Sequence, residues 1–404
     1  MNSSFDFAHI SDSHFEEGDR LQETADVHAF AVRECAKAGV ELILHTGDLF
    51  HKLPRLESRE AAREFLTGAA DAAPVVVVGG NHDGREELRP YNYFRTKNRV
   101  HAIQSHASFR IGNATIICLP WFDKATFGEE LPLELDQQSQ NRDVIAEAEN
   151  MLGLLRLQAE AAIAEGRIPI LAGHVSVAGS AVASGQTLIG TTIELSPAAL
   201  FQVGAPYTAL GHIHMQQQWE RITGNSRQVA AYAGSTIHRN FGEPEVKGFY
   251  LVHVERVGGG WHVEEQFVPL PARPIELIEV DVTAVAQPGG KPMEILTRAV
   301  EQASVNGALV RVRFHLEAHR FAEFSKATLE TALRNRGAYD VKIEPVPVHQ
   351  SRLRSEEILN ALEPWDDLVA YLNSKQISLS EHQLADLRDV VLSLQQEVLV
   401  NAIN

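Results

Sequence analysis

Five short segments of the sequence set metal-type side chains directly after an apolar run. They are Asp12 and His14 in "ISDSH", Asp48 and His51 in "HTGDLFH", Asn81, His82 and Asp83 in "GGNHDG", His174 in "LAGHV", and His212 and His214 in "ALGHIH". Asp12, His14, Asp48, Asn81, His174, His212 and His214 together offer two carboxylates, one amide oxygen and four imidazoles. Two near-octahedral ions that share a carboxylate take about seven protein ligands plus water, so this set suits two ions rather than one. Asp48 is the natural bridge. No thiolate is available for a structural zinc site, and the mixed oxygen and imidazole set makes manganese the expected ion, with magnesium, iron and zinc as alternatives. Two ions about 4 Å apart can activate a hydroxide, coordinate a phosphoryl oxygen and stabilise an in-line displacement on phosphorus. His82, outside the ligand set, is then expected to protonate the leaving oxygen or stabilise the transition state, with Asp83 orienting its ring and His51 assisting.

Any one segment alone would mean little. A single histidine among 18 is ordinarily a satisfied core or surface residue, and Asn, Asp and Gly in "GNHD" also favour turns. Five such segments in order, each ending an apolar run, are hard to produce by chance.

The elements that must position them follow from periodicity. Residues 5–10, 40–46, 74–79, 114–119, 168–173 and 207–211 are short apolar runs that read as buried strands. Helical spacing lies between the first three, at Ala25, Phe30, Ala31, Cys35 and Ala36 and then at Ala61, Ala62, Phe65 and Leu66. A β-α-β-α-β order implies right-handed crossovers and an α/β fold with an at least partly parallel sheet. Loops at the carboxyl ends of such strands converge on one edge, so ligands far apart in sequence can meet there, each preceding glycine letting the backbone turn sharply. "QVAAYAGS" and "GFYLVHVER" read as strands paired with each other, and so as a second sheet packed on the first. Prolines near 269–274 end this domain. Beyond it, strands at 275–283, 308–315 and 339–345 alternate with helices at about 293–304 and 321–335, a small second α/β unit. In the tail, Ser380 and Gln383 form a capping box ahead of an apolar seam of Leu384, Leu387, Val391, Leu394 and Val398, which suits packing on its own domain or on a partner helix.

Composition narrows the setting. The N-terminus lacks a basic region followed by a long apolar run, and no stretch of about 18 apolar residues occurs, so neither export nor membrane spanning is expected. Two cysteines, Cys35 and Cys118, are too few for a disulfide framework and fit a cytoplasmic protein. A formal net charge of −17 argues against gripping nucleic acid over the whole surface, because phosphate binding is driven by Lys and Arg.

"DSH", "GDLFH", "GNHD", "GH" and "GHIH", in this order, resemble the signature of calcineurin-like metallophosphoesterases. "GTTIELSPAALFQVGAPYTALGHIHMQQ" and "YAGSTIHRNFGEPEVKGFYLV" are similar to the SbcD-type repair nuclease subunits within that superfamily. The resemblance covers about residues 5–270. It implies a sandwich of two mixed sheets flanked by helices over residues 1–270, an α/β capping domain over 271–350 that positions DNA, and C-terminal helices over 351–404. It further implies that Asp12, His14, Asp48 and His214 hold one ion while Asp48, Asn81, His174 and His212 hold the other, that His82 is catalytic, and that His51 assists. The implied activity is a metal-dependent DNA nuclease, exonuclease or endonuclease. It would act in a repair complex as a homodimer whose C-terminal helices bind a coiled-coil, SbcC-like ABC-type ATPase. Segments 89–99 and 237–240 mix basic residues with aromatic or polar ones and are candidate DNA contacts. Two other readings compete: a phosphodiesterase or phosphatase for a small phosphoester, and a non-catalytic scaffold of the same fold. The full ligand set and His82 weigh against the scaffold.

Overall fold

A run such as Val75–Val78 has no polar face, so it belongs where both sides of a sheet are covered. The computed structural model of the protein describes residues 4–401 apart from 85, 123–136, 184–185, 187–193, 286–290, 349–364, 367, 370–371, 373–376 and 378. The chain begins with β1 (Ser4–Ile10), α1 (Leu21–Ala38), β2 (Leu42–His45), α2 (Leu56–Ala72), β3 (Val75–Val78) and β4 (Val100–Ile103). It continues through β5 (Ala107–Ile111), β6 (Ala114–Leu119), a helix over Gln137–Ala164, β7 (Ile168–His174), β8 (Ser176–Val177), β9 (Glu194–Leu195) and a helix over Pro197–Gln202. Then come β10 (Tyr207–Gly211), β11 (Gln217–Thr223), β12 (Ser226–Tyr232), β13 (Gly248–Val257) and β14 (Gly260–Pro269).

Two six-stranded mixed sheets result, in the orders β14-β13-β1-β2-β3-β4 and β11-β12-β10-β7-β6-β5. β1 to β4 run parallel, as do β6, β7, β10 and β12. Phe5, Phe7, Leu42, Leu44, Val76 and Val78 of the first sheet bury their side chains against Ile116, Ile170, Ala172, Tyr207 and Ala209 of the second. Truncating a wholly buried Phe such as Phe7 to alanine costs about 3–5 kcal/mol in a core of this kind. The opposite face of the first sheet packs on α1 and α2 through Val27, Ala31, Phe65 and Leu66. The outer face of the second packs on Leu155, Ala159, Leu200 and Phe201 of the two later helices. The sandwich of two mixed sheets flanked by helices is therefore the observed fold.

One pairing differs from the sequence reading. β12 and β13 do not pair with each other: β12 lies between β10 and β11, whereas β13 lies between β1 and β14. Each takes a hairpin neighbour instead, β11 and β14 respectively. β11 escaped notice because its residues are mostly solvent-facing and form no apolar run.

The chain divides into two compact units, one of Met1–Ile278, Gln302–Val312 and Glu330–Lys342, the other of Glu279–Glu301, Arg313–Leu329 and Ile343–Asn404. β15 (Ile275–Asp281), β16 (Leu309–Glu317) and β17 (Asp340–Val348) form a three-stranded sheet with β16 central. β16 alternates inward Val310, Val312, Phe314 and Leu316 with wetter positions, as a half-covered strand should. Helices span Pro292–Gln302, Lys326–Asn335 and Glu381–Asn401. The expected capping box forms: Ser380 N–H donates to Gln383 Oε1 at 3.0 Å and Gln383 N–H to Ser380 Oγ at 3.4 Å. The side chains of Leu394 and Val398, and the 350/351 boundary, lie outside the described residues. Among the described residues no helix is long and apolar enough to cross a membrane.

Candidate metal centre

The carboxyl ends of β1, β2 and β3 from one sheet and of β7 and β10 from the other meet at a single edge, where open α/β sheets bind ligands. The turns there are strained. Among the described residues the only non-glycines with positive φ are Asp12 (49°), His14 (47°), Asp48 (53°) and His212 (106°). Such backbone costs about 1–3 kcal/mol per residue and concentrates at functional sites. All four belong to the expected ligand set, so the left-handed turns fall on the ligands themselves. Glycines contribute in different ways. Gly47 takes φ 106°, whereas Gly80 has ordinary φ but leaves room, since a Cβ there would strike the carboxylate and main-chain nitrogen of Asp48. Gly173 does neither, because a Cβ would meet only ordinary contacts from 3.6 Å outward. The sharp-turn expectation thus holds at Gly47 and not at every ligand-preceding glycine.

All seven expected ligands are brought together. His14 Nε2 lies 3.7 Å from Asp48 Oδ2, 4.0 Å from Asp12 Oδ1 and 3.0 Å from His214 Nε2. His174 Nε2 lies 3.5 Å from Asp48 Oδ1 and 3.0 Å from Asn81 Oδ1, which is itself 3.0 Å from His212 Nδ1. The two oxygens of Asp48 therefore face the two groups separately, an arrangement open to a bridging carboxylate. Main-chain bonds hold the carboxylates: His212 N–H donates to Asp12 Oδ1 at 3.1 Å, and His82 N–H to Asp48 Oδ1 at 2.9 Å.

The residues fit divalent cations. His174 Nδ1–H donates to the Thr46 carbonyl at 2.8 Å, which leaves Nε2 as a lone pair facing the lone pairs of Asn81 Oδ1. Such a pair of acceptors is repulsive unless a cation lies between. Donors separated by 3.0 Å match a right-angled edge around an ion with bonds of about 2.1 Å. Burial raises the carboxyl of Asp12 to about 6, and burial with the nearby Asp12 and Asp83 charges lifts Asp48 well above the usual range. Burial holds His14 and His174 well below the ordinary imidazole value and His212 at about 4, so these rings are neutral at pH 7, the form that ligates.

His82 stands at the rim with its side chain 38 % exposed. Its Nδ1–H donates to the His51 carbonyl at 2.6 Å, which aims Nε2 at the site, 4.0 Å from Asp48 Oδ2. Burial lowers its pKa, partly opposed by that hydrogen bond. The orienting partner expected in Asp83 is therefore the main chain of His51. Asp83 instead accepts from three backbone N–H groups, Leu49 at 3.2 Å, Phe50 at 3.0 Å and Gly80 at 3.0 Å, and so ties the β2 loop to the β3 loop. Its oxygens are occupied by the backbone. The His51 ring stacks on His82 and sets Nδ1 3.3 Å from His14 Nδ1, an outer contact to a ligand.

Several neighbours escaped the sequence reading. Gln186 accepts from His214 N–H at 3.1 Å and donates to the His212 carbonyl at 2.5 Å, fixing the segment that carries both ligands. Trp121 lies with its ring 4.8 Å from that of His212, and its place after the β6 run was a readable signal. Glu243 and Lys247, both buried, pair at 2.8 Å. Glu243 Oε1 lies 3.9 Å from His214 Nδ1, while Lys247 Nζ donates to the His214 carbonyl at 3.3 Å. Of segment 237–240, His238 is a buried residue bonded to the Glu245 carbonyl, and Arg239 pairs with Glu16 at 3.1 Å. Of segment 89–99, Tyr91 is core, stacked on Phe50, whereas Tyr93, Arg95, Lys97 and Arg99 are exposed.

The model of the family described as calcineurin-like phosphoesterase matches residues 5–216. The chain belongs to this family. Calcineurin-like phosphoesterases are hydrolases that bind two divalent metals, in keeping with the His and Asp clusters described above. Among curated proteins, the SbcD component of the nuclease SbcCD from Staphylococcus epidermidis is 25% identical over 261 residues, 61% of this chain and 64% of the relative. Its namesake from Bacillus subtilis is 27% identical over 240 residues, 55% of this chain and 58% of the relative. The chain thus spans about three fifths of the length of these curated relatives. A dimetal phosphatase from Danio rerio aligns at 14% identity over 66% of this chain and 98% of that one, with a TM-score of 0.42.

Proposed function

We propose that this calcineurin-like phosphoesterase is a DNA nuclease that hydrolyses phosphodiester bonds, working in a repair complex. The observation that carries the proposal is the convergence of seven ligand side chains and His82 on one edge, in a chain whose curated relatives are named as nuclease components. Asp12, His14, Asp48 and His214 would hold one divalent ion, and Asp48, Asn81, His174 and His212 the other, manganese fitting the mixed donor set best. Bound there, the ions supply Lewis acidity toward a phosphoryl oxygen and a water of lowered pKa for in-line attack. The protein's own groups do the rest. Asp48 would fix the spacing of the two sites, the His51 carbonyl holds the His82 ring, and His82, once its ring is doubly protonated, would give its Nε2 proton to the leaving oxygen.

Exposed Tyr93, Arg95, Lys97 and Arg99 form a basic and aromatic stripe suited to a phosphate backbone, which reconciles local DNA contact with the net negative charge. The same reading takes residues 1–270 as the nuclease domain, 271–350 as a capping domain and 351–404 as the docking segment for a coiled-coil ATPase. It also takes the protein as a cytoplasmic homodimer.

The test is cleavage of a labelled hairpin-ended duplex and, in parallel, of bis-p-nitrophenyl phosphate, with manganese and with chelator. Manganese-dependent cutting of the duplex supports the nuclease. Hydrolysis of the ester with no DNA cut, even with a coiled-coil ATPase added, overturns it in favour of a small-phosphoester hydrolase.

A further inference from the structure

Between the two strained ligands Asp12 and His14 stands Ser13, which takes no part in the metal centre. Its hydroxyl lies 2.6 Å from His28 Nε2 of α1 and 2.6 Å from His45 Nε2 at the end of β2. His28 Nδ1 lies 2.6 Å from the Thr24 carbonyl, and His45 Nδ1 lies 3.3 Å from the Gly47 N–H. Ser13, His28 and His45 are 0%, 1% and 0% exposed, so no solvent completes the set.

The two ends of this chain dictate its direction. An amide N–H only donates, so His45 Nδ1 is a lone pair and its one proton sits on Nε2, donated to Ser13 Oγ. Ser13 then gives its own proton to His28 Nε2. His28 carries its proton on Nδ1 and donates it to Thr24, whose carbonyl only accepts. Five groups, two on α1, one ending β2 and one in each of the loops after β1 and β2, close with every proton used once. The carbonyl of the same residue, Gly47, accepts from Asp12 N–H at 3.0 Å, and His14 N–H donates to the Asp48 carbonyl at 2.9 Å. The chain therefore grips the backbone that bends at Asp12, His14 and Asp48, three of the four strained positions.

We propose that Ser13, through the one-way chain Gly47–His45–Ser13–His28–Thr24, is a positioning residue that holds Asp12, His14 and Asp48 in their strained, ligating turns. This rests on the reading of those three residues as metal ligands. Loss of an outer hydrogen bond that orients ligands weakens metal binding about tenfold to a hundredfold.

The experiment compares the full chain with its Ser13→Ala and Ser13→Thr variants by calorimetric titration with manganese, and reads imidazole tautomers of the wild type by nitrogen NMR. The expected result is an affinity loss of about tenfold or more in Ser13→Ala, recovery in Ser13→Thr, His28 as the Nδ1–H tautomer and His45 as the Nε2–H tautomer. Equal manganese affinity in Ser13→Ala, with or without a lower melting temperature, overturns the proposal, as does the opposite tautomer at either histidine. A wild type with the expected tautomers that takes up no manganese overturns the metal reading and this proposal with it. Failure to cut DNA leaves both arms of the test standing.

Discussion

His82→Ala separates catalysis from folding. The ring is held by one hydrogen bond of 2.6 Å to the His51 carbonyl, by a stack on His51 and by an edge contact to His14, and it is partly wetted. Losing one such hydrogen bond costs about 0.5–1.5 kcal/mol of stability. For a unit of about 300 residues that lowers the melting temperature by about 1–2.5 °C. Loss of a general acid lowers the rate by about 10²–10⁴-fold, or about 2.7–5.5 kcal/mol of barrier. The assay is the rate on hairpin DNA and on bis-p-nitrophenyl phosphate, with bound manganese and melting temperature measured on the same samples. A proton donor matters most where the leaving oxygen cannot stabilise its own charge. The deficit should therefore be large on DNA and several-fold smaller on the nitrophenyl ester, at unchanged metal content. Equal deficits on both substrates would refute proton donation by His82, and loss of manganese would show that it belongs among the ligands.

Three further outcomes are expected. Gly80→Ala drives a methyl group into the Asp48 carboxylate, so metal analysis should find manganese uptake reduced at least tenfold while the circular dichroism spectrum is retained. Asp83→Ala leaves three backbone N–H groups without an acceptor, at about 1 kcal/mol each, so the chelated protein should melt about 5 °C lower, and an unchanged melt would show that water replaces the carboxylate fully. Arg95→Glu combined with Arg99→Glu should reduce the logarithmic salt slope of DNA binding by about 1–2 while sparing hydrolysis of the small ester, and an unaltered slope removes that stripe from the DNA surface.

What was readable in the sequence was whatever a local pattern encodes. The strands that carry ligands are buried on both faces, β1 from Phe7 onward and β2, β3, β7 and β10 throughout, so they appear as largely apolar runs, and the ligands follow at or just after their ends. β11 and β14 carry polar residues on one side, and their membership of different sheets depends on pairing that no local pattern records. Asp83 was misjudged because adjacency to His82 in sequence suggests adjacency of function. Its carboxylate instead answers N–H groups exposed by the β2 loop, 33 and 34 residues away. Gln186, Glu243 and Lys247 were missed for the same reason: each acts on a ligand main chain or ring that the fold, not the sequence, brings near.

The strain explains why the sandwich is so thoroughly buried around this edge. Four left-handed non-glycine residues at about 1–3 kcal/mol each amount to roughly 4–12 kcal/mol, comparable with the whole stability of an ordinary domain. Two desolvated carboxylates add to it, since burial lifts both, with the Asp83 charge adding at each and the Asp12 charge adding at Asp48. Turns of that kind persist only where neighbours over-determine them. The neighbours are present: an Asp83 clamp across two loops, a Gln186 clamp across the His212–His214 segment, and a directed hydrogen-bond chain behind Ser13. All three attach to main-chain groups at the ligands or on the loops that carry them, the Ser13 chain through the Gly47 peptide. The fold thus holds the proposed donors from behind, and substitutions at these clamps should alter metal affinity even though none of the clamping side chains belongs to the proposed ligand set.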